Sequence, residues 1–472
     1  MSDPAEFSVP LGQHQLFVDD VGIEQLSNLK RTLHQPDKKG AVIRSPDPDS
    51  SIQTRNAPLW DPDEQVYRVR VLGVGQDSWQ SPDGLHWTPD TRSSSDSSLA
   101  GVSMVVRDGR DKDAGRRYKA VLLDRGFAVS PDGIEWTELD LPKIQSSDEG
   151  NFSYNEEEGL FIHTVKRGTD FGRSVAVATS TDFEHWDDLG VVFSTDAKDQ
   201  EIGREVIEAR RSNPLLQQTE FCSPEHYSIE IYNMGVFRYE GLFIGLPSVY
   251  HHTGKVPPEW EGFATMNLSP YIRECVEKYG DYTGFYHIQI ASSRNLVDWN
   301  RVAERRPFIE TSPLDSGAYD LQTMIGPSDV ILRGDELWFY YTGIKNYAFI
   351  TSGGKKGYDD YRADCGAICL AVLRRDGFVS LDSNGAEGSV RTSPFKLEGT
   401  SLSVNAAASK GELHIRVLDG EGGTLAQSDV FCADEVAGTM TWRSGDIAQH
   451  KEETVRLEFS LRDAQLFSYW LD

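Results

Sequence analysis

The sequence predicts an all-β protein: a five-bladed β-propeller over residues 1–375, closed by an N-terminal segment, and a C-terminal β-sandwich over residues 376–472. Three observations support this prediction. A seven-residue motif recurs about every 50 residues, and hairpin-like segments lie between its copies. After residue 376 the sequence pattern changes to short segments in which apolar and polar residues alternate. A repeat of this length indicates a repeat architecture.

The recurring motif has the form Ser-x-Asp/Asn-x-x-x-Trp. Its copies begin at Ser81, Ser130, Ser180 and Ser293 and end at Trp87, Trp136, Trp186 and Trp299. A strand-like run precedes each copy, and the polar residues and Gly or Phe that follow favour a turn. We therefore expect each Trp to begin the next strand and to pack between neighbouring sheets, in four equivalent positions.

Between these motifs lie segments that read as two strands around an acidic or glycine turn. They cover residues 59–67, 105–118, 152–161, 236–243 and 330–338. Two hairpins give four strands per unit, which is the content of a propeller blade. Five such units fit between about residue 40 and residue 375.

Two insertions interrupt the pattern, at 196–220 and 253–281, and each contains a candidate helix, at 201–211 and 270–279. Long loops in a repeat architecture are often functional. Both insertions flank the predicted fourth blade, so we expect them to form rims of one pocket.

The C-terminal region contains short alternating segments separated by turn residues, which is typical of an all-β sandwich. They cover residues 402–405, 413–418, 439–442, 455–461 and 466–470. We expect the last of these strands to be paired.

The amino-acid composition disfavours some classes of binding partner and cellular location. The chain has 47 Lys and Arg against 74 Asp and Glu, a net charge of −27, which disfavours nucleic acid and anionic membrane surfaces. No apolar run approaches the roughly 18 residues of a membrane span. The N-terminus lacks the pattern of a secretion signal, and five scattered cysteines fit a reducing compartment, so a cytoplasmic protein is expected. Cys365 and Cys369 have no matching second pair, and we predict neither a metal nor a cofactor.

The chain resembles the five-bladed propeller glycosidases of the invertase, levansucrase and arabinanase kind, and more narrowly an uncharacterised bacterial branch of that superfamily. The motif repeats and the passage Arg374-Arg375-Asp376-Gly377-Phe378 carry the wider resemblance, which covers nearly the whole chain. The narrower one rests on segments 15–20, 33–36, 230–234 and 461–468. The resemblance implies reactive carboxylates on the innermost strands of separate blades, facing a funnel at the axis. Fold alone does not fix the substrate.

Cleavage of a glycosidic bond needs one carboxylic acid that protonates the leaving oxygen and one carboxylate that attacks or activates water. The resemblance directs attention to the start of each inner strand, where Asp148, Glu230 and Asp320 are the catalytic candidates. Glu230 lies between Ile229 and Ile231, where an unpaired carboxylate would be costly to desolvate, so we expect it to be a protonated general acid. Asp148 is then the base or nucleophile, and Asp320 tunes the charge.

The first blade departs from the family pattern, because Arg55-Asn56 stands where invertases and arabinanases present their first aspartate. Asp61 follows several residues later and is expected in a hairpin turn. Asp19 and Asp20 are expected to be structural residues of a ring-closing N-terminal strand.

Basic, polar and aromatic residues near the same strand starts are candidates for binding substrate. They are Arg55, Lys166, Arg173, His226, Tyr232, Tyr250, His251 and Gln322. Tyr232, Tyr250 and Trp260 are candidates for stacking on sugar faces.

The leading hypothesis is therefore a glycoside hydrolase acting on an oligo- or polysaccharide. One alternative is a related glycoside phosphorylase that binds phosphate through Arg173, His226 and His251. Another is a non-catalytic carbohydrate-binding propeller, which the missing first-blade aspartate favours. The sequence leaves the sugar, the stereochemical outcome and the oligomeric state open.

Overall fold

The computed structural model describes residues 7–47, 51–75, 77–92, 99, 101–123, 126–219, 221–265, 268, 270–346 and 364–472. The chain opens with four short strands: β1 (Gln15–Leu16), β2 (Ile23–Ser27), β3 (Lys30–Leu33) and β4 (Asp37–Arg44). The first three pair with strands near the C-terminus, and β4 completes a sheet formed by residues 323–374.

Five antiparallel sheets follow one another along the chain, in agreement with the predicted all-β class. The first contains β5 (Leu59–Asp61), β6 (Val66–Arg70), β7 (Ser78–Ser81) and β8 (Thr88–Pro89). The second contains β9 (Met104–Arg107), β10 (Tyr118–Leu122), β11 (Gly126–Ser130) and β12 (Thr137–Leu139). The third contains β13 (Gly150–Asn155), β14 (Leu160–Thr169), β15 (Gly172–Ser180) and β16 (Asp187–Phe193).

The fourth and fifth sheets have five strands each. The fourth contains β17 (Ser228–Tyr239), β18 (Leu242–Val256), β19 (Asp281–Ile288), β20 (Ala291–Ser293) and β21 (Trp299–Arg301). The fifth contains β22 (Thr323–Ile325), β23 (Ile331–Arg333), β24 (Glu336–Ile344), β25 (Gly366–Arg374) and β4.

The recurring motif forms the same turn in all four copies. In the first copy, the Ser81 hydroxyl accepts from the Gly84 amide at 2.9 Å, and Asp83 Oδ1 accepts from two following amides. The equivalent bonds recur at Ser130, Ser180 and Ser293. The indoles of Trp87, Trp136 and Trp299 each donate to the carbonyl three residues earlier, and Trp186 stacks on Phe127. The repeat thus encodes turn chemistry and aromatic packing, as the sequence predicts.

Hydrogen bonds join each of these five sheets to the next and the fifth to the first. The five contacts are Val105 N to Asn56 Oδ1 (2.6 Å), Tyr154 Oη to Asp108 Oδ1 (2.8 Å), Thr164 Oγ1 to Met234 O (2.7 Å), Gly326 N to Ser248 Oγ (2.9 Å) and Thr54 N to Thr342 Oγ1 (2.9 Å). The contacts therefore run from the first sheet through the fifth and back to the first.

Both predicted insertions carry helices. Helix α1 spans Ala197–Arg211 and begins at a capping box formed by Asp196 and Asp199, and α2 spans Pro270–Tyr279. Glu220, the predicted end of the first insertion, lies outside the described residues. Within the described part of the chain, neither helix is long and apolar enough to cross a membrane.

The C-terminal residues form two further antiparallel sheets that share one apolar core. Their strands are β26 (Val379–Asp382), β27 (Gly388–Thr392), β28 (Phe395–Lys396), β29 (Leu402–Ala407), β30 (Glu412–Leu418), β31 (Thr424–Ser428), β32 (Asp434–Thr439), β33 (Trp442–Ser444), β34 (Thr454–Arg462) and β35 (Gln465–Leu471). The last strand, β35, pairs with β1, β26 and β29.

The N-terminal strands correct one expectation. Asp19 and Asp20 follow β1, which pairs with β35 of the C-terminal sheets, and Asp20 pairs with Arg31 at 2.5 Å. The strand that completes the fifth sheet is instead β4. Its alternating pattern is interrupted by two register shifts, which weakens the period-two signal in the sequence.

Candidate functional site

Polar side chains converge at the end of the third and fourth sheets where β13, β15 and β17 begin and β14 and β18 end. We name this group the Tyr232 cluster. It comprises Arg55, Asp148, Glu149, Lys166, Arg173, Glu230, Tyr232 and His252. Antiparallel pairing explains the convergence, because alternate strands start and finish at the same edge.

Arg55 and Glu149 form the buried side of the cluster. The guanidinium donates two hydrogen bonds to the carboxylate, Nε to Oε2 at 2.6 Å and Nη2 to Oε1 at 2.5 Å. The Tyr232 hydroxyl also donates to Glu149 Oε1, at 2.8 Å. Burial would raise the pKa of Glu149, but the charge and hydrogen bonds of Arg55 lower it on balance. Burial and the Glu149 charge raise the pKa of Tyr232, so its proton stays on the phenol.

Asp148 and Lys166 form the exposed side. Lys166 Nζ lies 2.6 Å from Asp148 Oδ1, and the same ammonium lies 3.8 Å from the centre of the Tyr232 ring. The lysine side chain is buried, whereas that of Asp148 is 67% exposed. Burial lowers the pKa of Lys166 despite the hydrogen bond to Asp148. The pair therefore combines an accessible carboxyl group with a desolvated ammonium group.

Glu230 joins the third sheet to the fourth. Its Oε2 lies 2.7 Å from Arg173 Nε, and its Oε1 lies 3.2 Å from His252 Nε2. Gly172 adopts a left-handed φ of +86°, and a Cβ there would lie 2.6 Å from the Glu230 carboxyl carbon. The carboxyl group therefore occupies space that any other residue at 172 would fill.

The protonation state of Glu230 differs from the expectation. Burial would raise its pKa, but contact with His252 and the Arg173 guanidinium lower it to about 2. Burial lowers the pKa of His252 itself, although Glu230 opposes this. The lowered pKa favours the ionised form of Glu230 at neutral pH, whereas the sequence led us to expect the protonated form, because the contacts with His252 and Arg173 outweigh burial.

Aromatic rings pack against the Tyr232 cluster. Tyr250 stacks on Tyr286 with ring centres 4.6 Å apart, and Tyr286 meets Tyr232 edge to face. Arg173 lies over the ring of Tyr250 at 5.4 Å. Tyr250 is fully buried, so its ring offers no face to a sugar, whereas Trp260 is partly exposed and packs edge to face against Phe263.

Asp320 and Gln322 belong to a different buried network. The Asp320 carboxylate lies 2.8 Å from Lys38 Nζ and accepts a 2.8 Å hydrogen bond from the Tyr341 hydroxyl. Gln322 donates to the carbonyl of Gly284 at 2.9 Å. The Asp320 carboxylate thus contacts β4 and β24, and its place in one pocket with Asp148 and Glu230 remains a prediction.

His251 and His226 also lie outside the cluster. His251 stacks on Phe285 with ring centres 4.8 Å apart, on the face of β18 opposite to His252, and burial lowers its pKa to about 3. His226 is exposed on a short 3₁₀ helix, Pro224–His226. Asp61 lies in the β5–β6 turn, where its Oδ1 accepts from two backbone amides, as the sequence predicts.

Two members of the cluster were missed by sequence reasoning, Glu149 and His252. Each is the immediate neighbour of a predicted residue. Successive residues of a strand face opposite sides of the sheet. Glu230 lies on β17, which pairs with β18, so strand alternation could have indicated that His252 of β18 faces the same side as Glu230. Glu149 precedes its strand, and nothing in the local sequence distinguishes it from Asp148.

One group of possible metal ligands lies elsewhere in the described structure, at His14, Glu240 and Asp376. His14 Nδ1 contacts Asp376 Oδ2 at 2.6 Å, while Tyr239 and Ser468 donate to the same carboxylate at 2.6 Å each. These hydrogen bonds occupy both carboxylate oxygens of Asp376. The group forms a hydrogen-bond network.

No family model matches the chain, and no curated protein matches it. Among solved structures, the chain is similar to one described as a glycoside hydrolase, with 13% identity, coverage of 72% of this chain and 92% of that one, and a TM-score of 0.40. It is also similar to a family 32 β-fructofuranosidase of Bombyx mori, with 9% identity, 93% of each chain and a TM-score of 0.37. A third is a β-1,2-mannobiose phosphorylase of Listeria innocua, with 13% identity, 98% of this chain, 92% of that one and a TM-score of 0.29.

Proposed function

We propose that the first to fifth sheets are the blades of a five-bladed β-propeller and that the two C-terminal sheets are the layers of a β-sandwich. The closed order of contacts between the five sheets supports the first part. Hydrogen bonds between inner segments add to it: Asn151 Nδ2 donates to Ser328 Oγ at 2.8 Å, and Ser328 Oγ donates to the Arg55 carbonyl at 2.7 Å. In this proposal residues 37–375 form the propeller, and β1 to β3 join residues 376–472 in the sandwich.

We infer that the protein cleaves a glycosidic bond and that the Tyr232 cluster is its active site. The observation that carries this inference is the pairing of Asp148 with Lys166 and of Glu230 with Arg173, with both cations against the ring of Tyr232. Desolvating several charges costs several kcal/mol per ion, and such clusters occur where charge has a chemical use. Two carboxyl groups around one ring are what glycoside cleavage needs.

We propose different roles for the two carboxyl groups, based on their contacts. Glu230 is ionised, so it attacks the anomeric carbon or removes a proton from the attacking water. Asp148 is accessible to the substrate, and in this proposal its protonated form donates a proton to the departing glycosidic oxygen. The leaving sugar takes that proton, and the remaining sugar receives the hydroxyl of water. This order reverses the one expected from the sequence.

The substrate expected from the charges is an uncharged glycan. Three cations, Arg55, Lys166 and Arg173, offset the carboxylates of Asp148, Glu149 and Glu230, although the whole chain has a net charge of −27. A balanced site has little net attraction for an ionic sugar.

Phosphorolysis is the second candidate. Lys166 and Arg173 lie within one cluster, and Nδ1 of His252 has no hydrogen-bond partner among the described residues. Such donors suit a phosphate that would replace water as the attacking group. In this version the product is a sugar phosphate.

The full-length protein should be incubated with a panel of 4-nitrophenyl glycosides and with oligosaccharides, each with and without inorganic phosphate. Cleavage independent of phosphate supports hydrolysis, and a sugar phosphate product supports phosphorolysis. Glu230→Gln is the inactive control. Binding of sugars without any cleavage would overturn the enzyme proposal and favour a carbohydrate-binding propeller.

A further inference from the structure

Two aromatic side chains are exposed at the same end of the sheets as the Tyr232 cluster. Phe171 is 43% exposed in the two-residue turn between β14 and β15, and Tyr282 is 45% exposed near the start of β19. Both belong to strand ends that surround Glu230. Water covers much of each ring, which is unfavourable for large apolar groups.

Each of the two aromatic residues adjoins a residue that contacts Glu230. Phe171 precedes Gly172, against which the Glu230 carboxyl group packs, and Glu230 Oε2 faces Arg173. Oε1 faces His252, whose ring meets Tyr282 edge to face with centres 5.5 Å apart. Both exposed aromatic residues therefore belong to the immediate surroundings of the Glu230 carboxylate.

Hydrogen bonds fix the backbone from which both rings project. The Phe171 amide donates to Thr169 Oγ1 at 3.2 Å, and its carbonyl accepts from Thr195 Oγ1 at 3.5 Å. Tyr282 pairs with Lys255 across the β18–β19 ladder. Rings fixed before the ligand arrives lose little conformational freedom on binding.

We propose that Phe171 and Tyr282 form an aromatic platform that binds the sugar units on either side of the bond facing Glu230. The C–H faces of uncharged pyranose or furanose rings would cover the exposed aromatic surface, while the cluster contacts hydroxyl groups. This inference rests on the proposed function for the position of the bond. It makes the ligand an oligosaccharide with sugar units on both sides of the bond, instead of a free monosaccharide.

The test compares Phe171→Ala and Tyr282→Ala with the conservative variants Phe171→Tyr and Tyr282→Phe. Trp60→Ala is the matched control, because Trp60 is an exposed aromatic residue at the opposite end of the first sheet, beside the Asp61 turn. The probes are gluco-, manno-, xylo-, arabino- and fructo-oligosaccharides of two to six units. Kd is measured by calorimetry, and KM and kcat are measured wherever the wild type cleaves.

Each alanine variant should raise Kd and KM for chains of three or more units about tenfold, the loss expected when one aromatic ring no longer buries its apolar face. We expect kcat to change by less than about twofold, and the conservative variants and Trp60→Ala to resemble the wild type. Wild-type affinity in both alanine variants, with oligosaccharides still bound, would overturn the platform and leave the proposed function intact. Loss of affinity in the alanine variants of a protein that cleaves nothing would support the platform and overturn the enzyme proposal.

Discussion

At Glu230, burial and charge act on the carboxyl group in opposite directions. Burial between apolar neighbours raises the pKa, and contact with His252 and Arg173 lowers it further than burial raises it. The local sequence shows only the apolar neighbours. Arg173 is 57 residues away along the chain and reaches Glu230 through the contact of the third sheet with the fourth. The charge state of this residue therefore depends on a tertiary contact.

The role of each carboxyl group can be separated by leaving-group dependence. Asp148→Asn should lower kcat on natural glycosides by roughly 10²–10⁴-fold and spare aryl glycosides with good leaving groups, which need little protonation. Glu230→Gln should impair both substrate classes, because it removes the attacking group or base. The measurement is kcat/KM across a series of aryl leaving groups, with circular dichroism to confirm folding. The reverse pattern would return Glu230 to the role of acid.

The lowered pKa of Glu230 also predicts a pH dependence of stability. Its pKa falls from 4.5 to about 2 on folding, so the carboxylate stabilises the protein above about pH 4.5 and loses this effect as the pH falls toward 2. We expect a contribution of about 3 kcal/mol at neutral pH. Urea unfolding of wild type and Glu230→Gln should show a difference that shrinks between pH 6 and pH 2.5.

The exposed Glu135 provides the comparison for this measurement, as Glu135→Gln. A stability difference between wild type and Glu230→Gln that stays constant from pH 6 to pH 2.5 would contradict the assigned ion pair.

Strand alternation and hairpin geometry explain the site at the scale of elements. His251 and His252 are adjacent on β18, but only His252 shares a face with Tyr250 and the Glu230 side of β17. A register shift between Ile231 and Asn233 interrupts the alternation on β17. Whether a side chain reaches the cluster therefore depends on one residue of register.

The β14–β15 hairpin gives a test at this scale. Gly172→Ala should cost about 1 kcal/mol because of the positive φ, and should lower turnover at least about tenfold because the new methyl group displaces the Glu230 carboxylate. Gly168→Ala lies in the same hairpin, and a Cβ there meets no described atom within 4 Å, so it should be neutral. Equal turnover of Gly172→Ala and Gly168→Ala would show that turnover does not depend on the position of the Glu230 carboxylate.

At the scale of the whole molecule, a buried network connects the fourth sheet to the C-terminal sheets. Asp376 binds His14, Tyr239 and Ser468, and the ring of His14 stacks on Trp470 at 3.8 Å. Burial would raise the pKa of Asp376, but the hydrogen bond from His14 and its other partners lower it on balance. The ionised carboxylate thus fixes two parts of the molecule to each other.

Asp376→Ala should therefore destabilise the protein by about 3 kcal/mol, because it leaves several buried donors unpaired. Asp434→Ala removes an ion pair with Arg374 whose carboxylate is half exposed, and should cost less than about 1 kcal/mol. Urea unfolding measures both, and activity in the absence of urea should be kept in both. If Asp376→Ala and Asp434→Ala lowered the free energy of unfolding by similarly small amounts, the Asp376 network would contribute little to stability.

The sequence by itself determined the all-β class, the turn motif and its four tryptophans, helix α2 at Pro270–Tyr279 and the C-terminal strands, because these depend on local turn chemistry and periodicity. It also named as candidates six residues that the structure brings into the Tyr232 cluster, through their positions at strand ends: Arg55, Asp148, Lys166, Arg173, Glu230 and Tyr232. Only the tertiary structure decided that Glu149 and His252 join them, that Asp320 pairs with Lys38 instead, and that Glu230 is ionised. These outcomes depend on contacts between residues far apart in the chain, and such contacts leave no periodic signal in either segment.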